Sequence, residues 1–497
     1  MSTISPHLPI LQVVIPLLAA VVAALLRRGT SAFALMLAVS WLMPIIAGAL
    51  LWQTLASGPV SYHLGGWAPP WGIEYRIDVL SAFVLFLVSG IGAVIAPFAH
   101  RSVALEIEPE KQSWFYCVYL LCLTGLLGIA ATGDAFNMFV FLEISSLSTY
   151  VLIALGRDRR ALLAAFQYLI VGTIGATFYV IGIGFLYLLT GSLNIVDIAE
   201  RLGPAAAENS RAAYAALAFI TVGVSLKLAL FPLHAWLPNA YAYAPSFVTA
   251  FLAATATKVA IYMLVRFYFS VFGVAIDFSA LHVAEVLVVL SLAAMFVASL
   301  IAVYQSDLKR MLAYSSVSQI GYITLGIALA NQAGLTGGLV HIFNHAVMKA
   351  TLFLAVGAVF YRVGTVKLDD LAGIGRKMPV TMAAFAVAGF GLIGTPGTAG
   401  FISKWYLAIG AVDRSWWWLV LLIVVSSMIA VAYVGRVIEV VWFRPTAAKL
   451  KDAKDPPLPM LLPIVLLAAA TVYLGFDTRL SAGVADIAAS ALLGGLR

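Results

Sequence analysis

Charged residues are scarce in this sequence. Asp, Glu, Lys and Arg make up 10% of its 497 residues, whereas hydrophobic residues make up 63%. A soluble domain averages about 25% charged residues, so this composition excludes an ordinary soluble protein. Cysteine is also scarce. Cys117 and Cys122 lie in one apolar segment without the spacing of a metal site or a disulfide framework, so we interpret both as core residues.

Several functional signatures are missing as well. No Lys/Arg cluster alternates with aromatic residues, which argues against a nucleic-acid partner. Haem, iron–sulfur and flavin signatures are lacking, so the sequence predicts neither a cofactor nor a metal site, and any redox chemistry would lie in partner proteins. The glycines of one apolar segment lack the strand-to-helix context of a phosphate-binding loop, and we interpret them as sites of close helix packing: Gly172, Gly175, Gly182 and Gly184.

What the sequence does contain is a series of long apolar segments. A membrane-spanning helix needs roughly 20 apolar residues. About fourteen segments meet this requirement, and two of them, 161–190 and 379–410, are long enough to be tilted or interrupted. The predicted spans are 8–26, 31–54, 78–99, 114–132, 135–155, 161–190, 212–231, 246–270, 283–304, 311–330, 335–361, 379–410, 415–442 and 457–476.

The distribution of Lys and Arg predicts the orientation. In the first segment, Arg27 and Arg28 follow the apolar run instead of preceding it, which favours a retained span over a signal peptide. With the N-terminus outside, 17 basic residues fall in inside loops and 7 in outside segments. Fourteen spans then place both termini outside, and the loop 362–378 inside. The expected location is the inner (plasma) membrane, so the lipid bilayer is a partner.

Ionisable residues inside the predicted spans are the main functional signal. A charge at the bilayer centre costs about 2.5–3.5 kcal/mol on insertion scales, so such residues commonly line an ion path. The alternative for each one is that it extends to the interface or forms a structural pair. The residues concerned are Glu143, Lys227, Lys258, Lys349, Lys404 and Arg436.

Glu143 and Lys227 are the natural pair. Glu143 lies in the apolar run FVFLE at 139–143, where it would be protonated unless a cation stood near it. A buried lysine can release and regain a proton, and a carboxylate partner would modulate this exchange. The distance between these two residues cannot be derived from their spacing.

Two of the predicted spans contain helix-breaking sequences. The run LFPLHAWLP at 230–238 follows Lys227, includes His234, and should break the helix near Pro232. The run GLIGTPGTAG at 391–400 precedes Lys404 by four residues. Broken helices at membrane depth commonly mark transport sites. The two sequences suggest two repeats of one design, although Lys227 precedes its break and Lys404 follows its own.

His341, His345 and Lys349 recur at every fourth position, which places them on one helix face. Histidine titrates near neutral pH, so this row could relay protons. Two histidines at this spacing can also bind zinc, but no further ligand is evident; structural histidines remain the other alternative. Lys258, beside two threonines, would stand between this row and the Glu143–Lys227 pair.

Arg436 and Glu439 lie three residues apart near the inner end of a span, and we expect a local ion pair between them.

These residues lie within motifs that resemble the antiporter-like subunits shared by Mrp-type cation/proton antiporters and respiratory complex I. The resemblance covers most of the chain, about 78–445. It is carried by GD at 133–134 with FVFLE, by Lys227 with the run at 230–238, and by three further motifs. These are DLKR at 307–310, AYSSVSQIGY at 313–322, and NHA at 344–346 with Lys349.

The resemblance implies an all-α polytopic membrane fold of about fourteen helices, with two inverted five-helix repeats that contain broken helices. It implies four parts: 1–113, a first repeat at 114–270, a second at 283–442, and 457–497. It assigns Glu143 as the acid that modulates the charge of the site, and Lys227 as its partner. Lys258 is assigned as a bridging base and Lys404 as the lysine at the end of the path. The histidines would connect these residues.

Within this family the chain is most similar to D-type Mrp subunits, because it ends soon after the last span and has lysine at 404. The implied function is proton/cation translocation in a Na⁺(K⁺)/H⁺ antiporter with other membrane subunits as partners, not enzyme catalysis. The alternative is a proton-pumping subunit of complex I or a related membrane-bound redox complex. A third alternative, an inactive scaffold, does not explain the complete set of buried ionisable groups.

Overall fold

A computed structural model describes residues 5–26, 28–273, 282–450 and 452–494, and these fold mostly into helices. Helices are expected because a chain in a bilayer must pair its own N–H and C=O groups. Arg27, Lys451 and Arg497, which enter the charge count above, lie outside the described residues.

The elements have the following bounds: α1 Leu8–Leu25, α2 Gly29–Ser57, β1 Val60–His63, β2 Glu74–Ile77, α3 Val79–Glu106, α4 Gln112–Ala131, α5 Ala135–Ala154, α6 Arg159–Thr190, α7 Ile195–Glu208, α8 Ser210–Leu228, α9 Trp236–Tyr243, α10 Ser246–Ala254, α11 Ala256–Val265, α12 Val283–Ala293, α13 Ser299–Val303, α14 Leu308–Leu329, α15 Gln332–Val363, α16 Pro379–Ile393, α17 Ala399–Asp413, α18 Trp418–Ile438, α19 Leu458–Phe476 and α20 Val484–Leu493. Short π-helical segments extend α11, α18 and the start of α20, and another joins α12 to α13.

Thirteen helical segments of the described chain are long and apolar enough to cross a membrane. They correspond to thirteen of the fourteen predicted spans, which confirms an all-α polytopic membrane fold. The predicted span 379–410 consists instead of α16 and α17, two 15-residue helices. The predicted span 161–190 is one continuous helix of 32 residues, α6.

A two-stranded antiparallel hairpin, β1–β2, was not predicted from the sequence. It fixes the ends of several helices at one end of the bundle. The buried carboxylate of Glu74 accepts hydrogen bonds from Ser61 Oγ at 2.5 Å and Asn194 Nδ2 at 2.8 Å. Its carbonyl oxygen accepts from the Gly133 N–H, between α4 and α5. The hairpin therefore joins the α4–α5 and α6–α7 connections.

Both predicted helix breaks are present, and a third occurs at Thr255. The first begins at Ala229, earlier than Pro232, where a left-handed φ of 60° ends α8 and Leu230 N–H bonds to Ser225 O. The second, at Gly394–Thr398, separates α16 from α17. Thr255 separates α10 from α11. The inverted relationship between the two predicted repeats stays a prediction.

The predicted ion pair between Arg436 and Glu439 was wrong. Arg436 does not pair with Glu439: it donates to Val303 O at 2.8 Å, while Glu439 pairs with Arg444 at 2.9 Å. The carboxylate reaches the exposed arginine beyond the helix end, whereas Arg436 turns to the nearby main chain. Arg266, counted as an outer residue of the charge pattern, is buried and bonds both carboxylate oxygens of Asp78, at 2.6 and 2.8 Å.

The predicted close helix packing occurs between α6 and α8. A Cβ atom on Gly175 would lie 2.9 Å from Gly223 O, and one on Gly223 would lie 2.6 Å from Gly175 O. Gly172 and Gly182 are similarly crowded, by Tyr150 and Ile220. Gly184 differs, because it is exposed and no atom lies within 4 Å of its added Cβ.

This contact predicts the effect of Gly223→Ala. The added methyl group would meet backbone atoms of α6 and should destabilise the protein by about 1–3 kcal/mol, seen as a lower melting temperature of the purified complex. The matched control is Gly184→Ala, which removes a glycine from an exposed helix position and should gain about 0.5–1 kcal/mol. Equal melting temperatures for the two variants would contradict the proposed packing.

The fold offers a test of orientation in the basic loop 362–378. Asp369 is exposed there and suits labelling, whereas Gly373 is buried against Thr446 and has φ of 70°. In a background with Cys117→Ser and Cys122→Ser, Asp369→Cys should resist an impermeant thiol reagent on intact cells and react in inverted vesicles. Trp71→Cys, at the hairpin turn, should show the opposite pattern. Reversal of both patterns would invert the topology.

Candidate functional site

Glu143 and Lys227 lie together, as the sequence interpretation assumed. Lys227 Nζ is 3.5 Å from Glu143 Oε1, 2.7 Å from Ser146 Oγ and 3.5 Å from Tyr150 OH. Glu143, Ser146 and Tyr150 occupy successive turns of α5, so one helix face supplies all three partners. Lys227 is buried, whereas the Glu143 side chain is 25% exposed at the outer surface of the chain.

The position of Lys227 depends on the end of α8. The lysine lies in the last turn of this helix, where the unpaired carbonyls give the helix end a partial negative charge. Trp236 of α9 folds back and donates to Leu226 O at 2.9 Å. Its indole also stacks on Tyr168 of α6, with ring centroids 3.8 Å apart. These contacts hold the broken helix beside α5 and α6.

A small cavity links this pair to the next lysine-bearing helix. It has a volume of about 20 Å³ and is lined by Lys227, by Ser146 and Thr149 of α5, and by Ala256 and Ala260 of α11, among others. A cavity of this size accommodates one water molecule. The lining therefore provides a wettable contact between Lys227 and the helix that carries Lys258.

Lys258 occupies the break at Thr255. Its Nζ donates to Ala253 O at 2.5 Å and to Thr257 Oγ1 at 3.3 Å, so the interrupted helix supplies the oxygen atoms around its own lysine. The side chain is fully buried. Lys258 lies within electrostatic range of His345 and Lys349.

The two histidines form a stacked pair on α15. Their ring centroids are 5.8 Å apart and the rings are nearly parallel. His341 Nδ1 lies 2.6 Å from Ser403 Oγ, and its Nε2 lies 2.9 Å from Gln319 Oε1. His345 is fully buried, and neither of its ring nitrogens has a hydrogen-bond partner among the described residues.

Lys349 points away from the histidines toward α14. Its Nζ donates to Leu312 O at 2.9 Å and to Ser315 Oγ, and it lies 6.0 Å from the centre of the Phe353 ring. The ammonium is thus solvated by a carbonyl, a hydroxyl and an aromatic face, without a carboxylate.

Lys404 reaches back from α17 to the end of α16. Its Nζ donates to Leu392 O at 3.0 Å and Ile393 O at 2.8 Å, two carbonyls of the last helical turn. Gly394 is required here for two reasons: its φ is 88°, and an added Cβ would lie 2.8 Å from the Lys404 side chain.

Two further groups connect Lys404 to the histidines. Ser427 Oγ accepts from Lys404 Nζ at 2.9 Å, and the ammonium lies 4.5 Å from the centre of the Tyr322 ring. That ring is 5.7 Å from the His341 ring. Lys404, Tyr322, His341 and His345 therefore form one continuous series.

His234 is separate from this series. In the α8–α9 connection its ring stacks on Phe231 and contacts Tyr314, and its Nδ1 is buried without a hydrogen-bond partner among the described residues. No group of three or more His, Cys, Asp or Glu residues in the described chain could hold a metal ion.

Several partners of these ionisable residues were not identified from the sequence. The motif at 313–322 carried the resemblance, but the contacts made by Ser315, Gln319 and Tyr322 depend on how α14 packs against α15. Ser403 could have been suspected from its position beside Lys404. Lys309 was counted as an inside-loop residue but is buried at the start of α14.

Chemically, these residues form a row of buried proton-binding groups with a single carboxylate, that of Glu143, at one end. The members of the row are Glu143, Lys227, Lys258, Lys349, His345, His341 and Lys404. The transmembrane-domain family described as NADH:quinone oxidoreductase/Mrp antiporter matches residues 132–430. These limits contain nearly all of the row, from Glu143 to Ser427.

Known proteins of both branches are similar over almost the whole chain. The N subunit of the NADH-quinone oxidoreductase of Desulforudis audaxviator is 42% identical over 97% of this chain and 98% of its own length. The D subunit of the Na⁺/H⁺ antiporter of Alkalihalophilus pseudofirmus is 30% identical over 84% of this chain and 83% of its own length. A chain of the Mrp complex from Dietzia sp. DQ12-45-1b superimposes with a TM-score of 0.90 at 27% identity, covering 99% of this chain and 98% of that chain.

The fold, the row of buried lysines and histidines, and these similarities agree: the chain belongs to the NADH:quinone oxidoreductase/Mrp antiporter family of membrane subunits.

Proposed function

We propose that this chain translocates protons within a multisubunit Na⁺(K⁺)/H⁺ antiporter. Protons would move between the Glu143–Lys227 pair and Lys404 through Lys258, Lys349 and the histidine pair. The observation that carries the proposal is the succession of buried amines and imidazoles from α5 to α17: Lys227 beside Glu143, Lys258 at the break at Thr255, and the series from His345 to Lys404. A protein needing only structural polar contacts has no reason to bury so many amines without carboxylate partners.

The Glu143–Lys227 pair would control when Lys227 holds its proton and when it releases it. Opposite charges about 4 Å apart attract by roughly 4 kcal/mol at an effective dielectric constant of about 20. When Glu143 is near, this attraction favours the ammonium form of Lys227; when Glu143 moves away, Lys227 loses it and releases its proton more readily. The released proton would pass toward Lys258 by way of the small cavity, which is lined by Lys227 and by residues of α11 on either side of Lys258.

Partner subunits are supported by the surroundings of Glu143. The exposed stripe of α5 that contains this carboxylate is otherwise apolar. Its members are Phe136, Val140, Leu147 and Val151, each 39–52% exposed. The Glu143 side chain is 25% exposed, and even a partly exposed carboxylate beside lipid is costly, so we infer that another membrane subunit covers this stripe in the assembled complex. The transported species would be protons and monovalent cations, in the plasma membrane with both termini outside.

The second candidate is a proton-pumping subunit of complex I or a related redox complex. The higher identity to an N subunit, 42% against 30% for a D subunit, favours it. The superposition on a chain of an Mrp complex favours the antiporter. The subunits that co-purify with the chain distinguish the two: small Mrp-type membrane subunits support antiport, and redox proteins support the pump.

Glu143→Gln should strongly reduce proton transport. The amide keeps the size of the side chain but removes the charge that attracts the Lys227 ammonium. Dye-monitored proton flux in inverted vesicles, normalised to the amount of assembled protein, measures the effect, with a loss of at least tenfold expected. Glu110→Gln, on the exposed α3–α4 connection, is the matched control and should retain transport. Wild-type flux in Glu143→Gln would remove this carboxylate from the mechanism.

Lys227→Arg and Lys404→Arg separate proton transfer from structural support. Arginine can still donate to Glu143, or to the carbonyls that end α16, but does not release its proton near neutral pH. Both variants should assemble normally and lose most of their proton flux in the same assay, whereas the exposed Lys454→Arg should behave as wild type. If Lys404→Arg transports normally while Lys227→Arg does not, the path does not extend to Lys404.

A further inference from the structure

A cavity of about 340 Å³ opens at the end of the bundle that carries the basic loops. It lies where the α5–α6 connection, the α9–α10 connection and the start of α14 meet. Six charged residues contribute to its wall: Glu106, Arg157, Asp158, Arg160, Asp307 and Lys309. The row of ionisable groups described above does not include any of them.

Lys309 differs from the other charged residues of this wall because it is buried and has no ion-pair partner within 4 Å among the described residues. Its Nζ donates to Ala244 O at 3.0 Å and lies 5.6 Å from the centre of the Phe360 ring. A lysine that only marks an inside loop would extend its ammonium into water.

The nearby carboxylates are occupied by other donors. Glu106 accepts from the main-chain and hydroxyl groups of Ser246, at 3.0–3.2 Å, and so fixes the start of α10. Asp307 accepts from Arg310 N at 2.9 Å and begins α14. Lys309 is therefore held by a carbonyl and an aromatic ring, the same kind of environment that surrounds Lys349.

Lys309 and Lys349 lie along the same groove between α14 and α15. Lys349 Nζ donates to Leu312 O, which is one helical turn beyond Lys309 on α14. On α15, Lys349 lies over the ring of Phe353 and Lys309 lies over the ring of Phe360. These two phenylalanines are seven residues apart, or about 10 Å along the helix axis. This spacing along α15 is longer than one hydrogen bond, so a proton passing between the two lysines would need at least one bridging group such as water.

We propose that Lys309 is the proton-accepting group at the mouth of the path, which takes protons from the cavity and passes them toward Lys349. A hydronium ion in the cavity would give its proton to the neutral amine of Lys309 and remain as water. Its N–H bond would then break as a proton reaches the neutral amine of Lys349 through the bridge, which restores Lys309 to its starting form. This inference rests on the proposed proton transport and adds a carrier and an entrance to it.

Lys309→Arg tests the proposal, with the neighbouring Arg310→Lys as the matched control. Arginine at 309 retains the charge, the donation to Ala244 O and the contact with Phe360, but cannot cycle its proton. Proton flux in inverted vesicles should fall at least tenfold in Lys309→Arg at unchanged levels of assembled complex. Arg310→Lys should retain flux. Wild-type flux in Lys309→Arg would overturn the proposal.

Lys227→Arg, measured in the same experiment, distinguishes a failure of the proposed entrance at Lys309 from a failure of the whole proton path. If Lys227→Arg loses flux and Lys309→Arg does not, the entrance is wrong and the proposed function stands. If neither loses flux, the proposed proton path itself fails.

Blocking the cavity gives a second test that leaves Lys309 intact. Val366→Cys, in the wall of the cavity, is introduced with Cys117→Ser and Cys122→Ser and treated with a bulky charged thiol reagent from the basic side. Labelling should reduce proton flux at least fivefold, because the attached group fills the entrance. Complete labelling with unchanged flux would contradict an entrance at this cavity.

Discussion

An ammonium group at membrane depth has to be solvated by the protein, because the bilayer core offers it neither water nor counter-ions. In this fold the solvating atoms are largely main-chain carbonyls. Intact helices already use their carbonyls internally, so three of the buried lysines find carbonyls where helices end or break, whereas Lys349 shares Leu312 O with the intact helix α14. Lys258 lies at the break at Thr255, Lys404 at the end of α16, and Lys309 at the end of α9. The breaks and the buried lysines are thus two aspects of one requirement.

The same requirement explains an apparent mismatch between the two interrupted helices. In the sequence, Lys227 precedes its break and Lys404 follows its own. In three dimensions both lysines are tied to the end of a half-helix. Lys227 belongs to the last turn of α8 and extends its ammonium to side chains of α5, whereas Lys404 reaches back to the last carbonyls of α16. The partial negative charge of a helix C-terminus stabilises the Lys404 ammonium. The two halves therefore place a lysine beside each break but solvate its ammonium differently.

The spans, the two sequence-marked breaks and the intramembrane ionisable residues could be predicted because hydrophobicity, proline, glycine and charge act locally. The hairpin was missed, since its strands are short and its role depends on contacts with Gly133 and Asn194, far away in the sequence. The break at Thr255 has no proline or glycine to reveal it. The Arg436–Glu439 pair failed for a related reason: helical spacing permits that contact, but the packing of α18 against α13 offers Arg436 a carbonyl instead.

The row contains one carboxylate and four buried lysines, and this imbalance constrains how it can operate. Lys258 lies within electrostatic range of the histidines and of Lys349. Like charges in a medium of low dielectric constant repel, so a row in which every lysine carries its charge at once would be costly. Glu143 lies at one end, at the partly exposed surface where a neighbouring subunit would contact it. In the proposed mechanism, a displacement of this single charge changes the electrostatic energy of Lys227 first and, through repulsion between adjacent charges, that of the groups beyond it. Such coupling would need only a small movement at the edge of the chain.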